Sequence, residues 1–203
     1  MKYHVKHIMA DVRARLGYNP DNLPLIEADD IETLRLDDII RHQIIPAAQK
    51  VLLLAPPYLI DTAKPLRGAL AWQGQEGEGM AYLWLPPDFL RLLSVRMTDW
   101  HRPAHIITED NPLYALQSSP FTGVRGNPDR PVAVVVRYPE GLVLELYSST
   151  AGGGTTLQRA LYVPRPHFDP CGLIDLPTAL YDDIVKEISQ QTIDHSGATG
   201  ADM

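Results

Sequence analysis

The stretch VAVVVRYPEGLVLELYS, residues 132–148, decides how this chain must fold. Its first half is a Val-rich run from Val132 to Tyr138, and β-branched residues of that density suit a pleated, packed surface. Pro139, Glu140 and Gly141 then supply turn chemistry. The second half alternates, with Leu142, Leu144 and Leu146 on one face and Val143, Glu145 and Tyr147 on the other. A repeat of about two residues belongs to a strand. A short turn between two strands makes them antiparallel.

Working outward, Gly152–Gly154 turns the chain again into Thr156–Val163, so the region predicts an antiparallel meander. Upstream, Leu66–Trp72 and Met80–Leu85 predict strands joined by the polar loop QGQEGEG. Ser94–Thr98 and Pro103–Thr108 flank a turn at Asp99–Arg102. Phe89–Met97 is expected to run through a short turn into its strand.

The two ends of the chain carry a different period. Val5–Leu16 predicts a short helix stopped by Gly17, with Pro20 beyond it. A second helix starts near Glu27–Asp30, where carboxylates suit the positive end of the helix dipole. Its stripe is Leu36, Ile40, Ile44, Ala47, Val51 and Leu54, at spacings of 4, 4, 3, 4 and 3. Pro46 inside that stripe predicts a kink or two helices in succession. Leu176–Pro177 opens a last helix with Leu180, Ile184 and Ile188 inward. The expectation is an α+β protein: N-terminal helices over 1–64, an antiparallel β region over 65–173, a C-terminal helix over 174–194 packing on the same core, and a disordered tail over 195–203.

A chain of 203 residues suits one core with a small helical appendage. Cys171 is the single cysteine, which excludes an intramolecular disulfide and fits a reducing compartment. The N-terminus lacks a signal-peptide apolar core. The longest apolar run, VLLLAPPYLI, is broken by prolines and too short to span a bilayer. A soluble intracellular protein is expected. The net charge is −7, of which Asp175, Asp182, Asp183, Glu187, Asp194 and Asp202 against Lys186 place −5 after residue 173. No basic stripe of the kind that grips phosphates is visible.

No catalytic, cofactor-binding or metal-binding residue is expected from the sequence. His4 with His7, and His101 with His105, could each begin a metal site, but no further ligand follows at a usable spacing. Cys171 has His167 four residues before it, in a loop-like context. Ser118–Ser119 lacks the G-x-S-x-G elbow of a hydrolase nucleophile. The acid pairs Asp29–Asp30, Asp37–Asp38 and Asp182–Asp183 read as helix caps and solubilising faces. The Gly152–Gly154 triplet lacks the Lys of a phosphate loop. Trp72 and Trp84 read as core. Trp100, in the turn Asp99-Trp100-His101-Arg102-Pro103, keeps two readings: a partner contact made by Trp100, His101 and Arg102, or an indole folded back onto its own sheet.

The order of the pieces adds a resemblance. The stripe IIRHQIIPAAQKVLLLAP is followed by LWLPPDFLRLLSVRM, a Trp-bearing turn, the loop NPLYALQSSPFTGVRGNP, strands that include LELYSS, and the helix LPTALYDDIVKEI. Over residues 25 to 190 this resembles the head–tail connector (adaptor, tail tubular A-like) proteins of short-tailed bacteriophages and prophages. The motif that carries it is Leu85, Pro86, Asp88, Phe89, Leu90 and Arg91. The resemblance implies a non-catalytic virion protein of the neck, made in the bacterial cytoplasm. It implies a homo-oligomeric ring, commonly twelvefold, docked below the portal and above tail or nozzle proteins. DNA would pass through its lumen without specific binding, and no membrane or cofactor is involved. On that reading the acidic C-terminal segment is a candidate lumen or portal-facing element. A non-viral interaction or scaffold module, and a small enzyme whose site is assembled in space, remain the other readings.

Overall fold

The computed structural model describes residues 1–17, 31–73, 80–121, 123–147 and 155–199, with the side chains of 31–35 and 196–199 left aside. In chain order the elements are β1 (Lys2–His4), α1 (Val5–Arg15), α2 (Ile31–Leu54), β2 (Lys64–Pro65), β3 (Ala71–Gln73), β4 (Met80–Trp84), β5 (Phe89–Met97), β6 (His105–Thr108), β7 (Val132–Tyr138), β8 (Gly141–Tyr147), β9 (Leu157–Pro164), β10 (Leu173–Asp175) and α3 (Tyr181–Thr199). The class is α+β, and the chain divides into a helical unit, Met1–Thr62 with Arg165–Met203, and a strand unit, Ala63–Pro164.

The helical unit begins with its ends tied together. β1 pairs antiparallel with β10, Tyr3 opposite Ile174. His4 then caps α1, its ring Nδ1 accepting from the Lys6 amide at 3.1 Å. Gly17 ends the helix at φ +84°, a conformation a side chain would oppose. α2 runs from Ile31 to Leu54 with Pro46 inside it, so of the two outcomes expected there the chain does not form two separate helices. The start expected at Glu27–Asp30 lies outside the described residues. Ile8 and Val12 of α1, Ile40, Ile44 and Leu52 of α2, and Ile184 and Ile188 of α3 are buried together.

Two sequence expectations change in this unit. The buried stripe of α2 advances by fours after Ile44, through Ala48 to Leu52, so Leu54 is left 78% exposed. A helix of 3.6 residues per turn drifts in that way when spacings of four follow one another. The C-terminal helix packs against α1 and α2 and continues to Thr199, past the tail boundary expected at 195. Residues 200–203 lie outside the described residues. The helical unit regains the chain at Arg165, not at 174, because β10 must return to β1.

The strand unit holds a three-stranded sheet, β2-β9-β5, and a five-stranded sheet, β3-β4-β8-β7-β6. β7 and β8 form the hairpin read from residues 132–148, with Val132 opposite Tyr147 and Tyr138 opposite Gly141. The third strand of the expected meander does not stay beside them: β9 pairs antiparallel with β5 and β2. The Gly152–Gly154 triplet that was to turn the chain lies outside the described residues, as does most of QGQEGEG. Phe89–Met97 is one strand with several register shifts, not a turn and a strand. Of Leu66–Trp72, only Ala71 and Trp72 join a ladder, within β3. Leu83, Val95, Met97, Trp100, Leu144 and Leu146 form the main apolar cluster.

β6 pairs parallel with β7, His105 opposite Val132. Parallel neighbours cannot be joined by a tight turn. Residues 109–131 make the crossover, and this strap covers the sheet face that carries Ile107, Val132, Val134 and Val136, to which it brings Tyr114. Gln117, buried, holds the strap to itself: its Nε2 donates to the Leu113 carbonyl at 2.8 Å and its Oε1 accepts from the Gly126 amide at 2.9 Å.

Candidate functional site

Because the strap covers that face, the alternation of β8 carries Glu145 inward, and its side chain is only 2% exposed. Burying a carboxylate is costly unless donors surround it. Here the Tyr138 hydroxyl donates to Oε1 at 3.0 Å and the Tyr147 hydroxyl to Oε2 at 2.8 Å. Tyr114 of the strap bonds to the same carboxylate. Burial, and then the carboxylate beside them, push the phenols of Tyr147 and Tyr114 above the usual tyrosine value, Tyr147 the further; for Tyr138 the hydrogen bond to Glu145 leads. Among the described residues, the bonds given to Glu145 come from tyrosines packed around it. The one from Tyr114 fixes the strap to the sheet. Sequence reasoning placed Glu145 on the correct face and missed its burial; the signal was a lone acid in the run GLVLELY.

The LPPDFLR corner is a second polar cluster. Asp88 accepts from Lys64 Nζ at 3.0 Å and from the Tyr162 hydroxyl at 3.0 Å. Burial alone would raise the Asp88 carboxyl, but these two donors outweigh it and hold the group below its usual value. Burial and Asp88 together push Tyr162 up to about 12. Phe89 stacks on the Tyr162 ring at 6.0 Å. The motif that carries the resemblance is thus a corner pinned to β9.

The Trp100 turn resolves between its two readings. The indole is 1% exposed and sits in the main apolar cluster, so it offers no surface to a partner. His101 and Arg102 remain exposed. His101 Nδ1 lies 2.6 Å from Asp129 Oδ1 in a surface pair. A turn tip next to Arg and His looks exposed in sequence. The Trp100 amide bonds back to Met97, and that tight turn folds the ring under the sheet.

The remaining candidates occupy structural posts. His4 caps a helix, and among the described residues no three His, Cys, Asp or Glu side chains converge on a metal position. Asp169 accepts from the Cys171 and Leu173 amides, each at 2.9 Å, and pairs with Lys2. His167 Nδ1 faces the Arg165 carbonyl at 3.2 Å, and the Cys171 loop is a turn closed around Asp169. Ser118 and Ser119 bond within the strap. Asp37 pairs with Arg13, Asp182 with Arg15 at 2.8 Å, and Glu187 with Lys50 at 2.6 Å. The N-terminal ammonium lies 3.0 Å from Asp175. Half of the six acids of the C-terminal segment are therefore already paired within the helical unit. Asp29 and Asp30 lie outside the described residues.

What stays open is apolar surface. On the helical unit Leu53, Leu54 and Tyr58 are exposed; on the strap Leu113, Leu116, Phe121 and Val124 are, Phe121 at 71%. Beside the strap lies a groove of about 510 Å³ whose lining includes Arg102, His105, Leu113 and Arg130. The two arginines are far apart in sequence. Parallel pairing of β6 with β7 brings them together, with the His105 amide on the Pro131 carbonyl at 2.8 Å and the His101 amide on the Pro128 carbonyl at 3.0 Å. Arg102 was legible as part of an exposed turn; Arg130 carried no signal of its own. No protein-family model matches the chain, and no curated protein matches it significantly. Among the described residues no helix is long and apolar enough to cross a membrane.

Proposed function

We propose that the chain is a structural head–tail connector of a short-tailed phage virion, a subunit of a homo-oligomeric ring below the portal through which DNA passes. The observation that carries the reading is the exposed apolar side chains on both units, Leu53, Leu54 and Tyr58 on one and Leu116, Phe121 and Val124 on the other. Large apolar groups gathered on a surface mark contacts with other proteins, and a ring subunit needs such contacts with copies of itself, with the portal and with the tail. The tight use of polar groups points the same way. Glu145 and Asp88 are spent on holding the strap and the corner of the strand unit in place. A preformed surface costs less entropy to assemble than a flexible one. The order of helices, LPPDFLR corner, strap, strands and last helix supports the placement among connectors. The direct test is electron microscopy of virion-derived particles: density for this chain in a ring at the neck is expected, and its absence from the neck in particles that contain portal and tail would overturn the proposal.

A further inference from the structure

We infer that the exposed rings of Trp84 and Tyr138 form a docking point for an arginine side chain of a protein partner, with the buried carboxylate of Glu145 as the charge behind it. Trp84, read as core from the sequence, is 47% exposed, and Tyr138 is 40% exposed. The two rings meet edge to face, their centroids 6.4 Å apart and their planes at 69°. Strand register puts both on the sheet face that carries Glu145. Trp84 stands opposite Val143, the half-buried Tyr82 opposite Glu145, and Tyr138 opposite Gly141. The Trp84 ring lies against Gly141, where a Cβ would come within 3.7 Å of Cζ3.

The Glu145 carboxylate has no counter-ion among the described residues. Oε1 accepts from Tyr138 and Oε2 from Tyr147, both neutral donors, and the ion pairs of the chain leave Glu145 out. A phenol that donates to a carboxylate gains electron density in its ring. The Tyr138 phenol is held above its usual value by that bond first of all. Its ring face and the neighbouring indole therefore attract a cation. Glu140, exposed in the turn between Tyr138 and Gly141, adds a second acid. The two rings touch, so no slot between them could enclose a round ammonium group. Their open faces suit a flat cation, and guanidinium stacks with less loss of hydration than ammonium. A phosphate is repelled by the same acids. These strands bring no arginine of their own: Arg137, the adjacent base, stands opposite Leu142 on the other face. The site stands independently of the connector reading.

The test is a titration of the full chain with acetyl-Gly-Arg-Gly-amide, followed by NMR at the Trp84 indole N–H, which Trp84→Phe identifies by its loss. A saturating shift below about 50 mM peptide is expected. The matching lysine peptide should bind at least fivefold more weakly, and the neutral citrulline peptide should give no saturating shift. Glu145→Gln should weaken the arginine peptide at least threefold, and so should raising salt from about 0.05 to about 0.5 M. Circular dichroism checks that the variant folds; if it does not, the arginine and citrulline peptides decide the question between them. No shift with arginine, an equal shift with citrulline, or unchanged affinity in folded Glu145→Gln would overturn the inference. A neutral disaccharide that moves the Trp84 signal more than the arginine peptide does would mark a sugar platform and overturn it too. Free arginine, which carries its own carboxylate, should bind more weakly than the peptide; tighter binding would make this a small-molecule site and overturn the protein-partner claim.

Discussion

At the scale of single residues, most polar chemistry in this molecule is spent on structure. Glu145 shows the cost and the remedy together: a carboxylate at 2% exposure is tolerated because Tyr114, Tyr138 and Tyr147 donate to it. Glu145→Gln keeps the shape and turns an amide N–H₂ toward hydroxyls that were donors. A loss of about 1–3 kcal/mol is expected, the usual cost of a mismatched buried polar group, measured as a lower urea midpoint at unchanged slope. The Asp88–Tyr162 pair makes a pH prediction. The folded chain holds the Tyr162 proton more tightly than the unfolded chain, up to about 12 against an ordinary value near 10. The contribution of this pair is therefore complete below about pH 10 and fades as pH climbs from there toward 12. Thermal midpoints from pH 9 to 11.5 should fall more steeply for the wild type than for Tyr162→Phe. Parallel curves would assign the alkaline loss to other groups.

At the scale of elements, α2 and the strap explain what sequence could and could not tell. Pro46 was expected to kink α2 or divide it into two helices; the helix continues through it, because Ile44, Ala47 and Ala48 on either side are fully buried and packing outweighs one lost backbone bond. Pro46 itself is exposed, so Pro46→Ala restores an amide donor to the His42 carbonyl without disturbing the core. It should stabilise the chain by about 1–3 kcal/mol, and an unchanged or lowered denaturation midpoint would mean that the local bend is needed for packing. Local pattern fixed the helices, the β7–β8 hairpin and the inward face of α3 at Leu180, Ile184 and Ile188. It could not reveal that β9 pairs with β5, because periodicity reports which face is buried and says nothing of which strand lies alongside. The same blindness hid the burial of Trp100 and the meeting of Arg102 with Arg130, both produced by long-range pairing.

At the scale of the whole molecule, the helical unit is a closed frame in which first and last strands pair and α3 returns to α1 and α2. Both units place apolar side chains outside, and those surfaces carry the proposal of a ring subunit. The acidic C-terminal segment enters that picture in reduced form, since Asp175, Asp182 and Glu187 are paired inside their own unit. Reversing the acids still available, Asp183 and Asp194, should slow DNA passage through assembled particles and leave ring formation unchanged; normal ejection by such particles would remove any lumen role for the segment. The central claim is that this chain assembles on a portal, and native mass spectrometry of the intact chain with and without that portal tests it most directly. A complex of one portal with a closed ring of this chain, commonly twelve copies, is expected even where the chain alone stays monomeric. A monomer at every concentration with portal present would contradict it.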